Sequence, residues 1–129
     1  MTLNSVVKAY LAVDELSQAE HSYQLSLALV KLKDMLKTDV EFYMQQEKKL
    51  IKQYALIDDN GNIKLTDKNR FIFRDAGDAP KYAQERQVLE NTQTTIDNLP
   101  ISAPPPEKIK PALLTALEGF ISFEEADKT

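Results

Sequence analysis

The run from Ser17 to Gly61, SQAEHSYQLSLALVKLKDMLKTDVEFYMQQEKKLIKQYALIDDNG, has no glycine before its last residue and no proline at all. Within it, Leu25, Leu29, Leu32, Leu36, Tyr43, Leu50 and Tyr54 return on one stripe at helical spacing, with Asp39 and Gln46 interrupting it. The pattern predicts a helix from about residue 19 to 56, on the order of 55 Å long at about 1.5 Å per residue. A compact chain of 129 residues measures only about 30–35 Å across. One end of such a rod must project, bend or pack on something else.

Upstream, residues 3–16 read as a shorter helix, because Leu3, Val6, Val7, Tyr10 and Val13 share one face while Lys8, Asp14 and Glu15 fall off it. Ser17 and Glu20 form an S-x-x-E capping box. The serine oxygen takes an orphan backbone N–H and the glutamate reaches back, so the long helix is expected to start there. His21 then falls in its first turn.

Downstream, Asn60-Gly61 is a turn signal, since both residues tolerate positive φ. Residues 62–66 and 70–74 alternate like strands, with Phe71 and Phe73 opposed to Ile72, and predict a small β-hairpin around Thr66-Asp67-Lys68-Asn69. Asp78 and Pro80 suit the N-cap and first turn of another helix reaching about Thr92. Residues 94–101 are expected as an edge strand beside the hairpin, ended by Pro100. Pro104-Pro105-Pro106 is extended. Short helical turns fit Glu107–Lys110 and Pro111–Glu118, closed by Gly119, and a frayed tail is expected over Glu124–Thr129. No internal repeat is visible. The expected fold is α+β and mainly α: one domain over residues 1–129, with a helical hairpin (1–57) whose long helix packs on a small antiparallel β element, and short C-terminal helices (58–129).

Composition narrows the function. There is no cysteine, so no disulfide framework, thiolate nucleophile or iron–sulfur site can form. Acidic residues number 20 against 16 basic, for a net charge of -4. Charges cancel over residues 1–57, the acid excess lies toward the C-terminus, and the cluster Lys48, Lys49 and Lys52 shares its helix with acids. Direct nucleic-acid binding by phosphate neutralisation needs a concentrated basic face and is not expected. The opening residues lack the parts of a signal peptide, and no apolar run approaches the roughly 18 residues that span a bilayer. The expectation is a soluble, cytoplasmic protein without membrane contact.

Each candidate motif has a plain structural account. Asp58, Asn60 and Gly61 resemble part of a calcium loop, but Leu56 would occupy its first position and Asp67 its last, where a bidentate Glu belongs. His21 is the only imidazole and has no partner at metal-ligand spacing. Asp34 and Glu41 share a helix face, but Lys37 between them makes ordinary surface pairing the simpler reading. Three glycines cannot build a phosphate cradle, and the triple proline lacks the basic anchor of an SH3 ligand. No catalytic, metal-binding or cofactor-binding residue is assigned, no cofactor is expected, and the chain is expected not to be an enzyme.

What stands out is a second apolar set off the main stripe of the long helix: Leu27, Val30, Met35, Val40, Phe42 and Met44. The first helix and the C-terminal elements could cover them. Alternatively they form a surface for a protein partner or for further copies of the chain, which suits adaptable Met and Phe side chains.

Residues 47–63, EKKLIKQYALIDDNGNI, followed by a helix, a β segment and the closing LEGFI of residues 117–121, resemble a family of small uncharacterised bacteriophage and prophage proteins. These motifs are helix-end and turn chemistry, and the triple proline and the Gly77–Pro80 turn depart from the pattern. The resemblance implies a phage or mobile-element origin and a place in the host cytoplasm. It brings no activity and no functional residues. The expected function is non-enzymatic protein binding, in virion or tail assembly or on a host protein. An acidic inhibitor occupying the nucleic-acid-binding groove of a host enzyme is the alternative, and a carboxylate-and-tyrosine enzyme the remotest.

Overall fold

A computed structural model describes residues 1–124. Helix α1 spans Leu3–Leu16, as its spacing requires, and is capped by Thr2, whose Oγ1 accepts the Ser5 N–H at 3.2 Å. Helix α2 spans Tyr23–Tyr54 without a break, 32 residues or about 48 Å. It starts five residues later than the Ser17 capping box implies. Ser22 is the cap, with its Oγ accepting the Leu25 N–H at 3.2 Å, while the Ser17 hydroxyl donates backward to the Val13 carbonyl. The reason is the reversal of direction. A helix begun at Ser17 would run straight on from α1, whereas the open connection over residues 17–22 lets α2 fold back and face it. His21 accordingly lies ahead of the helix, its Nε2 2.6 Å from the Leu16 carbonyl oxygen.

The core forms where α1 and the first half of α2 meet. Val6, Ala9, Val13 and Leu16 pack against Leu25, Leu29, Leu32, Leu36 and Val40. Leu117, Phe120, Ile121 and Ala103 close this cluster from the C-terminal segments. Among the described residues no charged group is buried, so the fold rests on apolar burial, worth roughly 1.5–3 kcal/mol per large side chain.

The β structure differs from the expectation. The one two-stranded sheet is parallel, not antiparallel, and joins β1 (Ile101–Ala103) to β2 (Ile121–Phe123), with Ile101 opposite Ile121. Pro100 precedes β1 instead of ending a strand, and β1 does not lie beside the hairpin. The crossover holds α4 (Pro111–Leu117), and Gly119 turns the chain into β2 at φ 84°. Residues 107–110 form no helix. The Glu124 N–H is bonded to Ala103 O at 2.8 Å, and the rest of the expected frayed tail lies outside the described residues.

The predicted hairpin is two arms of a three-armed ring. Antiparallel bridges join Ile57 to Ile63, Leu65 to Phe71 and Ala55 to Phe73. At its centre the amides run in a cycle: Leu56 N–H to Ile72 O at 2.7 Å, Lys64 N–H to Leu56 O at 2.9 Å, and Ile72 N–H to Lys64 O at 3.2 Å. A second cycle surrounds it, from Asp58 to Asn62, Thr66 to Arg70, and Arg74 to Tyr54. Equivalent residues stand eight apart, so residues 55–74 carry a repeat that side-chain identity hides. The turns share chemistry: Asp58 Oδ1 accepts the N–H groups of Asn60 and Asn62, and Thr66 Oγ1 accepts those of Lys68 and Arg70.

A short 3-10 turn, Ala76–Asp78, leads into α3 (Ala79–Glu90). Asp78 makes no side-chain cap bond; Asp75 accepts from Gly77 instead. Helix α3 lies along the second half of α2, and residues 92–94 bond to the chain start through Leu3 N–H to Thr92 O and Thr94 N–H to Met1 O.

Candidate interaction surface

Helix α2 is covered along its whole length on one side only. Helix α1 takes the first half and α3 the second. A polar cluster and an aromatic one hold α3 in place. The Arg86 guanidinium donates to Glu47 at 2.7 Å, to Glu90 at 3.1 Å and to the Tyr82 hydroxyl at 2.8 Å. The Tyr82 ring meets Tyr54, Phe71 and Phe73 edge-on, with centroids 6.0, 5.0 and 5.6 Å away, and so ties the ring of arms to both helices. Burial works against the Arg86 charge, but the Tyr82 hydrogen bond and the neighbouring Tyr43, Tyr82 and Glu47 outweigh it and raise its proton affinity above the ordinary value. Tyr43 lies beside this group, and burial pushes its phenol above the usual range. This cluster joins α3 to α2 through the Arg86–Glu47 pair.

The other side of α2 is bare. Tyr23, Leu27 and Val30 point directly away from the core and are 94%, 55% and 65% exposed. They occupy successive positions of a 4-3 spacing that continues through Asp34, Lys37 and Glu41. Depressions adjoin the helix along its length. One of about 390 Å³ is lined by Tyr10, Val30, Lys31, Lys33, Asp34 and Lys37. Another, about 330 Å³, lies between α2 and α3, with Phe42 on one wall and Val88 on the other.

The six residues singled out from sequence therefore do not form one patch. Leu27 and Val30 share the outward face. Met44 is exposed on a flank of the helix further along, and Phe42 belongs to the α2–α3 groove. Met35 is half-buried. Val40, 3% exposed, sits in the α1–α2 core and is no part of any surface. Tyr23, the most exposed apolar side chain of the face, was not among the six. The 4-3 spacing linking it to Leu27 and Val30 is the signal that finds it.

The loop at Asp58 spends its carboxylate on backbone N–H groups. Lys37 approaches Glu41 at 4.0 Å as a surface pair. Among the described residues no group of three or more His, Asp or Glu side chains is placed to hold a metal ion, and no helix is long and apolar enough to cross a membrane. No protein-family model, curated protein or solved structure matches this chain.

Proposed function

We propose that this chain is a non-enzymatic, protein-binding protein that works through the uncovered face of α2. The observation that carries this reading is the row Tyr23, Leu27 and Val30, held outward on a helix whose opposite side is buried in the core through Leu25, Leu29, Leu32 and Leu36. Large apolar side chains in a row cost free energy in water that a partner recovers on covering them. The resemblance to phage proteins directs the reading to virion or tail assembly, or to a host protein met in the cytoplasm.

The test is comparative affinity capture from host and infected-cell lysates with the wild-type chain and a Leu27→Glu/Val30→Glu variant. The expected outcome is a partner retained by the wild type and lost by the variant, with both chains melting at the same temperature. Identical capture by the two, or none by either, would remove the reading.

A further inference from the structure

The chain has six asparagines, and only Asn60 precedes a glycine. An asparagine so placed can lose its side-chain amide without enzyme or cofactor. The Gly61 backbone nitrogen, having shed its proton, bonds to Asn60 Cγ. The Cγ–Nδ2 bond breaks and ammonia leaves. Water then opens the five-membered imide at either carbonyl. One opening gives aspartate. The other gives isoaspartate, whose main chain runs through the former side chain. A side chain on the following residue hinders the ring closure. Gly61 has none, and nothing lies within 4 Å of where its Cβ would stand. Both residues are exposed, so water reaches them.

The folded turn opposes this chemistry. The Gly61 N–H is donated to the Asp58 carbonyl at 3.0 Å. The N–H groups on either side, of Asn60 and Asn62, both donate to Asp58 Oδ1 at 2.9 Å. The Asp58 N–H in turn meets Asn62 O at 2.8 Å. Three consecutive amides are thus fixed on one residue. While they are, the Gly61 nitrogen keeps its proton and its peptide is held from swinging onto Asn60 Cγ. Attack waits for a local opening of the turn. The product acts back on the turn. Isoaspartate lengthens the main chain by one carbon between Asp58 and Asn62. The three amides then no longer converge on Asp58, and the Ile57–Ile63 bridge loses its register.

We propose that Asn60 is a site of spontaneous deamidation gated by the first turn of the ring: the closed turn protects it, and an opened turn is converted to an isoaspartate form that does not close again. The site lies apart from the uncovered face of α2 and does not depend on what that face binds.

The test is incubation of the full chain at mildly alkaline pH, followed by peptide mapping in a mass spectrometer that reads acid formation at every asparagine. Isoaspartate is counted separately by enzymatic methyl labelling. In the folded chain Asn60 should convert slowly, and ahead of the other five asparagines. Asp58→Ala removes the acceptor of two amides and should speed conversion at least about tenfold. Circular dichroism should show its helices intact, since the α1–α2 core lies elsewhere. Asp58→Asn removes the same charge but keeps a side-chain oxygen, and should stay close to wild type. Unfolding the wild type in urea at the same pH should also speed conversion at least about tenfold. Amide exchange at Asn62 and Lys64 should be faster in the isoaspartate fraction than in the unconverted one. Equal rates in the folded chain, Asp58→Ala and urea would overturn the gating. Acid forming first at another asparagine, or none at Asn60 even in urea, would overturn the site. Unchanged exchange in the isoaspartate fraction would show that the turn closes again and overturn the irreversible step.

Discussion

Arg86 on α3 reaches Glu47 on α2 at 2.7 Å, and this contact joins the two helices along the second half of the long rod. Both side chains are about one-third exposed, so water screens part of the attraction. Replacing Arg86 with Met leaves Glu47 and Glu90 facing each other beside Tyr43 without a cation. The expected cost is about 1–2 kcal/mol, or a melting temperature lower by about 5 °C, read by thermal circular dichroism. Glu47→Gln should cost less, because the amide oxygen still accepts from the guanidinium.

Tyr82 joins the ring of arms to the helices through its ring and to Arg86 through its hydroxyl. Tyr82→Phe keeps the edge-on contacts and should cost about 1 kcal/mol. Tyr82→Ala removes both and should cost about 2–3 kcal/mol, below the figure for a fully buried ring because Tyr82 is half-exposed. Amide hydrogen exchange at Lys64 and Ile72 should accelerate in the alanine variant well before the amides of Leu29 and Leu32 respond, since the latter belong to the α1–α2 core.

Two serines separated by five positions should behave differently. Ser22→Ala removes the acceptor for the Leu25 N–H and should destabilise by about 1 kcal/mol. Ser17→Ala should change stability by less than about 0.5 kcal/mol, because the Val13 carbonyl keeps the Ser17 backbone N–H at 2.9 Å. Urea unfolding of the two variants side by side checks the order. Equal losses, or a larger one at Ser17, would mean that the helix starts at the earlier serine.

Tyr43 gives a pH signature. Burial favours the neutral phenol and raises its folded affinity for the proton above that of the unfolded chain. The contribution is complete below the unfolded value of about 10 and is lost as pH rises through the folded one, where the unfolded state sheds its proton first. Unfolding free energy should therefore fall above about pH 10, and Tyr43→Phe should make that fall shallower. Urea titrations at pH steps through this range compare the two slopes.

The helices were legible wherever a local pattern decided them. The 3-4 spacing of Leu3, Val6, Val7, Tyr10 and Val13 marks α1 to its ends, and the leucine stripe marks α2. The start of α2 was misread because Ser17-x-x-Glu20 and Ser22 offer the same cap chemistry, and only the packing of Leu25 and Leu29 against Val13 and Leu16 chooses between them. The parallel pairing of Ile101 with Ile121 has no local signal: three residues meet three others across a helix and a loop. The eight-residue repeat was hidden because its equivalent positions share backbone bonds and not side chains. Asp58 and Thr66 do the same work with different oxygens, and Leu56, Lys64 and Ile72 are alike only in their amides. The interaction face was half legible. Leu27 and Val30 were visible as apolar residues out of phase with the stripe, but Val40 is equally apolar and only the third dimension puts it inside.

In the ring over residues 54–74 each strand-like arm gives its amide to one neighbour and takes from the other. No two arms close the circuit, so a chain cut before Arg74 would leave the Tyr54 carbonyl at the end of α2 without the N–H that meets it here. The ring is a clasp whose last residue locks it to its first.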